Sequence, residues 1–337
     1  MKLTIKKFVL PLKHTFSISR ESYDFQDTMI VSLEERGQIG YGESTANPYY
    51  NFTFESMQAE IEALRPTIEA YDFTTPAAFH VFLSQKGLSN FALCAIDLAA
   101  HDLYGKLLNQ PLHQIWGTTT AHYPITNYTI GIDSIDRMLA KMQEKPWPIY
   151  KIKLGTNDDV AIVKELRKHT DAVFRIDANC AWTAQETIYN APQLKALGVE
   201  FLEQPLKADD WQGMEKVAHH SELPIIADES CVLEEDVEKC ALHFNGINIK
   251  LTKCGGLTPA LRMIKKGKDL GLKIMVGCMT ESTVGISAIA QLLPQLDYVD
   301  MDGAMLLSED IAKGIEISSD GAVVFPELGG SGITMYR

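Results

Sequence analysis

Residues 148–177 read PIYKIKLGTNDDVAIVKELRKHTDAVFRID. A β-rich run (148–154) gives way to NDDVAIVKELRKH (157–169), whose apolar residues recur at three and four spacing, and then to a second β-rich run (172–177). This is one strand–helix–strand unit, and its runs end in charged residues. In a strand, residues i and i+2 share a face, so Lys151 and Lys153 point one way and Ile152 the other.

The unit recurs downstream. Eight β-rich runs follow Tyr123: ITNYTIGI (125–132), PIYKIKL (148–154), AVFRID (172–177), VEFLEQ (199–204), LPIIAD (223–228), GINIKL (246–251), KIMVG (273–277) and LDYVDMD (296–302). The segments between them, such as AQETIYNAPQLKALG and TPALRMIKKGKDLG, carry helical spacing and close near glycine. Eight βα units at a period of about 25 residues form an internal repeat, and its simplest closed form is a (β/α)8-type barrel. An open doubly wound sheet would carry a glycine-rich phosphate loop after its first strand. None stands there.

Upstream the pattern does not alternate. Leu3, Ile5, Phe8 and Leu10, then TMIVSLEERGQIGYGES (28–44), read as three strands with a turn at Arg36-Gly37. Three helical patterns follow: ESMQAEIEALRPTIEAY (55–71), TPAAFHVFLSQKG (75–87) and SNFALCAIDLAAHDLYGKLLNQ (89–110). Strands in a block and then helices in a block indicate an α+β unit. The expected division is an α+β unit over 1–118, the barrel over 119–312 and a segment 313–337 returning to the first unit.

Composition narrows the partners. The chain has 337 residues, 46% of them hydrophobic, and a net charge of −13. That balance disfavours nucleic acid and anionic membranes, which select basic surfaces. No apolar run is long enough to span a bilayer, and MKLTIKKFVLPLKHTF reads as a strand, not a signal peptide. Six cysteines without a CxxC pair read as free thiols. A cytoplasmic location is expected, and a homo-oligomer is compatible with this surface.

The strand-end charges carry the chemistry. Steps of 24, 26, 25 and 22 residues separate Lys153, Asp177, Glu203, Asp228 and Lys250, matching the repeat and placing each at the C-terminal mouth where barrel active sites form. One such carboxylate alone commonly caps the next helix. Three on consecutive strands converge, and at about 4 Å and an effective dielectric near 20 each pair repels by about 4 kcal/mol. A hard divalent cation resolves this, and oxygen-only ligands favour Mg²⁺, or Mn²⁺ in its place. Lys151 and Lys153 face inward on one side. Lys250 arrives from across the barrel. Two opposed amines beside a metal suit removal of a proton from one face of a carbon and its return on the other.

These residues resemble the enolase superfamily, specifically its muconate-lactonizing subgroup and most closely the dipeptide epimerases. The resemblance runs through GYGES (40–44), AIDLAAHDLYGK (95–106), KIKLG (151–155), RIDAN (175–179), FLEQP (201–205), IADES (226–230), IKLTKCGG (249–256) and VGCMTES (276–282). It implies a barrel with an N-terminal capping domain, Mg²⁺ held by Asp177, Glu203 and Asp228, an acid/base pair in Lys153 and Lys250, and a tuning role for Lys151. Lys250 is preferred over Lys253, which would lie in the loop. Asn179 and Glu229 are read as supporting or capping residues.

The last histidine is His243, which disfavours members using a late His–Asp dyad. Asp300 and Asp302 in VDMDG resemble the acidic pair by which dipeptide epimerases hold a substrate α-ammonium, although a polar turn would look alike. The implied reaction is inversion of the α-carbon of a dipeptide's C-terminal residue through an enediolate, with Ala-Glu as the leading substrate and hydrophobic or cationic dipeptides, which other members of the family prefer, as the alternatives. Arg20, in a hairpin loop at roughly 15–28 that closes over such sites, is a candidate for a side-chain carboxylate unless Asp24 or Asp27 pairs with it. Cys278 either lines the pocket or is a buried thiol. The rivals are an o-succinylbenzoate synthase or cycloisomerase on the same machinery, and a non-catalytic binding protein on the same fold.

Overall fold

The computed structural model describes residues 1–336. Its N-terminal part opens with an antiparallel sheet, β1 (Lys2–Ser17), β2 (Ser22–Glu35) and β3 (Gln38–Thr45), in that order. β1 and β2 pair almost to their ends, with a register shift between Pro11 and Phe16. The expected loop at 15–28 is therefore a tall hairpin whose turn is only residues 18–21. Arg36 and Gly37 take positive φ in the turn to β3.

Helices α1 (Phe54–Ala63), α2 (Arg65–Glu69), α3 (Pro76–Ser84), α4 (Asn90–Leu108) and α5 (Leu112–Ile115) follow. The run read as one helix over 55–71 is split at Leu64, because Pro66 has no N–H to return to Glu62. α5 is a single turn in the stretch that leads from α4 towards the barrel. Sheet and helices enclose one apolar core around Met29, Val31, Phe79 and Phe91.

Eight parallel strands make the second part: β4 (Tyr128–Ile130), β5 (Ile149–Lys153), β6 (Val173–Asp177), β7 (Val199–Glu203), β8 (Ile225–Ala227), β9 (Gly246–Lys250), β10 (Lys273–Gly277) and β11 (Tyr298–Asp300). Each of the eight runs seen in the sequence is one of these strands. Outward residues Ile152, Ile176, Leu202, Ile249, Val276 and Val299 pack against the helices in the largest core. Inward, Phe201, Ile226, Met275 and Tyr298 form a floor beneath the mouth.

Backbone pairing runs unbroken from β4 to β11 but not between those two strands. Side chains bridge that seam. Asn127 Nδ2 donates to Asp300 Oδ1 (2.7 Å), Thr129 N to Asp302 Oδ2 (2.5 Å) and Met301 N to Thr126 Oγ1 (3.0 Å).

Buried acids join the two parts. Glu43, at the end of GYGES, accepts from Ser282 N (3.0 Å), Ser282 Oγ (2.5 Å), Gly285 N (2.9 Å) and Thr28 Oγ1 (2.8 Å). It thereby sits on the N-terminus of the barrel helix Thr283–Ala290, where an anion is favoured. Asp97 likewise accepts from Thr258 N and Oγ1 at the start of the helix Leu257–Asp269. Asp102 accepts from Ser331 N (2.9 Å), which holds the C-terminal segment on α4.

Glu43→Ala is expected to strand these buried donors and to cost about 2–4 kcal/mol, since an unmet buried donor costs about 1–3 kcal/mol. A fall in the urea midpoint checks it; an unchanged midpoint would refute the joining role.

Candidate active site

Strand register places the charged residues at one level. Lys153 pairs with Asp177 and Asp177 with Glu203, and on the far side Lys250 pairs with Gly277 and Gly277 with Asp300. Asp228 follows β8 by one residue. Gln204 fixes it there, since its Oε1 accepts from Asp228 N (2.9 Å) and Ser230 N (3.0 Å) while its Nε2 donates to Leu206 O (2.8 Å).

Asp177, Glu203 and Asp228 are buried and offer carboxylate oxygens that all lie within 4.8 Å of one another. Burial, with the Asp177 charge beside it, raises the Glu203 carboxyl to about 7. Three ionised acids at this spacing therefore require positive charge among them. Glu203 Oε1 accepts from Asn248 Nδ2 (2.8 Å). Its Oε2 has the Lys151 ammonium at 2.8 Å without hydrogen-bonding alignment and no other partner. An oxygen-only set with one buried oxygen left unmet fits a hard cation such as Mg²⁺.

Four lysines surround the acids. Lys153 Nζ lies 2.6 Å from Asp177 Oδ2, and Lys250 Nζ 2.8 Å from Asp228 Oδ2. These two stand on β5 and β9, four strands apart in a set of eight, and both line the same cavity. Lys151 reaches Asp177 (3.0 Å), Glu203 (2.8 Å) and Asp300 (2.8 Å). Burial opposes its charge, but the carboxylates of Asp300, Glu203 and Asp177 outweigh burial and hold its pKa well above that of a free lysine. Lys151 is thus a fixed positive charge.

Lys253 does not lie in an open loop. It sits in the one-turn helix Leu251–Cys254, fully buried, with Nζ 2.6 Å from Asp228 Oδ1 and bonded to the carbonyls of Cys231 (3.0 Å) and Asn248 (3.3 Å). The sequence reading missed this contact, and it missed Asn248, although that residue's place two before Lys250 on one strand was a usable signal.

A cavity of about 290 Å³ opens above these groups, between the barrel mouth and the β1–β2 hairpin. Lys151, Lys153, Lys250, Asp300, Asp302, Cys278 and Arg20 all line it. Asp300 and Asp302 are both buried, and burial together with the Asp300 charge pushes Asp302 up to about 8. Cys278 Sγ lies within 4.8 Å of both these acids, and burial raises its thiol well above the usual range. Arg20 pairs with neither Asp24 nor Asp27. Its Nη1 donates to Glu229 Oε1 (2.8 Å), while Asp24 bonds Thr15 and Asp27 pairs with Lys7. Asn179 and Glu229 thus face the cavity as well as supporting its wall. All six cysteines are free, and among the described residues no helix is long and apolar enough to cross a membrane.

Known proteins resemble this chain over nearly its whole length. Residues 2–117 match the mandelate racemase / muconate lactonizing enzyme N-terminal domain, and residues 134–337 match the enolase C-terminal domain-like family. An L-Ala-D/L-amino acid epimerase of a Maribacter species is 72% identical over 337 residues, covering all of both chains. A protein of the same description from Flavobacterium johnsoniae is 60% identical, over 99% of this chain and 100% of its own. A crystal structure of a dipeptide epimerase from Enterococcus faecalis, complexed with Mg and L-Leu-L-Tyr, superposes with a TM-score of 0.93 at 30% identity and covers 99% of each chain. Acids from successive strands, lysines across the mouth and a capping sheet above them thus accompany matches over nearly the whole length: the chain belongs to the enolase superfamily, in its mandelate racemase and muconate lactonizing enzyme branch.

Proposed function

We propose that the protein is a Mg²⁺-dependent dipeptide epimerase that inverts the α-carbon of the C-terminal residue by transferring a proton between Lys153 and Lys250. One observation carries this reading: the two amines stand on strands four apart, face one cavity, and flank a cluster of three carboxylates. The relatives at 72% and 60% identity, both L-Ala-D/L-amino acid epimerases, support it.

Asp177, Glu203 and Asp228 would hold Mg²⁺, which when bound supplies positive charge against the negative charge that grows on the substrate carboxylate. The chain's own groups do the rest. Asp300 and Asp302, on the β11 side, offer two carboxylates to the substrate's terminal ammonium. The α-carbon then lies between Lys153 and Lys250. The neutral amine of one takes the α-proton, and the ammonium of the other returns a proton to the opposite face. Each turnover exchanges the two protonation states, so the reaction runs in both directions. Lys151 stays charged and balances Asp300, Asp177 and Glu203 throughout. A substrate with an anionic arm in place of the ammonium would meet the Asp300 charge and push the raised Asp302 carboxyl further up, whereas an ammonium draws Asp302 towards its ionised form, which disfavours the o-succinylbenzoate synthase alternative.

Incubation in D₂O with Mg²⁺ and a set of L-alanyl dipeptides is expected to place deuterium at the α-carbon of the C-terminal residue and to generate the second diastereomer, both read by NMR. The alanyl α-carbon should keep its proton. Absence of exchange across the set would refute the assignment.

A further inference from the structure

The hairpin turn over the cavity is fastened to the barrel. Ile132 N donates to Ser17 O (2.9 Å), Ser19 Oγ to Asn179 O (3.4 Å), and Arg20 Nη1 to Asn179 O (3.3 Å) and Glu229 Oε1 (2.8 Å). The Arg20 guanidinium also lies over the Tyr49 ring, 4.1 Å from its centroid. The barrel leaves room for the tip at two glycines: a Cβ on Gly131 would stand 2.9 Å from Ser17 O, and one on Gly155 2.8 Å from Ser19 Cβ.

The Glu229 side chain is 3% exposed, and its second carboxylate oxygen has no partner. Arg20 is its one ion-pair partner among the described residues. Were Arg20 to turn towards a substrate carboxylate, Glu229 would lose its one ion-pair partner, and breaking a buried pair is costly. Glu21, the other charge of the tip, also lines the cavity, and among the described residues it makes no ion pair. It would repel an anion. The rest of the hairpin wall is Phe16, Ile18, Tyr23, Phe25 and Gln26, with the Asp27 carboxylate held by Lys7 (2.8 Å). With the substrate carboxylate at the acid cluster, its amine towards Asp300 and a lysine on each face, this wall is what remains for the C-terminal side chain.

We infer that Arg20 is a latch and not a receptor: its bond to Glu229 holds the hairpin closed, and the pocket beneath takes an uncharged aliphatic or aromatic C-terminal side chain in preference to a carboxylate. This rests on the dipeptide epimerase reading, and it assigns a different role to the arginine on which the Ala-Glu expectation stood.

The test compares kcat and KM for L-Ala-L-Leu and L-Ala-L-Glu in the wild type and in Arg20→Gln, together with glutamyl endopeptidase cleavage after Glu21. The wild type should favour L-Ala-L-Leu by about tenfold or more in kcat/KM, because a charge of the wrong sign is rejected more strongly than a misfit methylene. Arg20→Gln should raise KM about fivefold for both dipeptides, as the closed hairpin becomes less populated. The preference ratio should hold, and the tip should be cut faster. Selective loss of L-Ala-L-Glu turnover in Arg20→Gln, a wild-type preference for L-Ala-L-Glu, or unchanged cleavage of the tip would each overturn the inference. Failure of the wild type to exchange the α-proton of any dipeptide would instead strike the epimerase reading, and the cleavage measurement would still report on the latch.

Discussion

Lys153→Ala and Lys250→Ala are each expected to lower interconversion of the two diastereomers by about 10²–10⁴-fold, the usual contribution of a positioned general acid or base. The fold should survive both changes. Asp177 loses Lys153 but keeps Lys151 at 3.0 Å, and Asp228 loses Lys250 but keeps Lys253 at 2.6 Å. Neither substitution therefore leaves a buried carboxylate without a cation. The informative result lies in the residual chemistry. A single lysine can still remove a proton from its own face and return solvent deuterium to that same face. Each variant should thus exchange the α-proton of one diastereomer without inverting it, and the two variants should choose opposite diastereomers. NMR in D₂O separates exchange from inversion. Unimpaired inversion in either variant, or exchange of the same diastereomer in both, would eliminate the two-amine scheme.

The second large effect separates two acids of the same cluster. Glu203→Gln is expected to weaken Mg²⁺ binding at least ~10²-fold and to abolish exchange, because one of three charged ligands is gone. Stability should change little. Lys151 retains Asp177 and Asp300, and a glutamine oxygen can still accept from Asn248. Asp228→Asn should lose activity and stability together. Lys253 would remain fully buried with only the carbonyls of residues 228, 231 and 248 around it, having lost the one carboxylate within ion-pair distance among the described residues. An uncompensated buried charge of this kind costs about 3–5 kcal/mol. Thermal unfolding of both variants, with and without Mg²⁺, gives the comparison. Equal stability of the two would contradict the structural part assigned to Asp228.

The barrel and its acid cluster were legible in the sequence because a strand alternates strictly. Every inward position in a run such as KIK or NIK is separated from the next by one outward apolar residue, so an interrupting charge marks the mouth. Four features resisted that reading, each for a physical reason. Lys253 follows its strand by three residues, and only the one-turn helix Leu251–Cys254 swings it back under Asp228. The break at Leu64 was hidden because apolar spacing continues through Pro66. The extent of the β1–β2 hairpin depends on cross-strand pairing that polar residues such as Ser22 and Asp24 do not advertise. The bond between Arg20 and Glu229 spans 209 positions, and nothing local to either residue names the other.

The unpaired seam between β4 and β11 has a consequence for how ligand and scaffold communicate. Asp300 and Asp302 tie the first strand to the last through Asn127 and Thr129, and in the proposed reaction the same two side chains would meet the substrate's amine. A molecule engaging them would bind the side chains that close the one gap main-chain bonding leaves in the ring. Under that proposal, the grip on the ligand and the closure of the barrel would draw on the same two carboxyl groups.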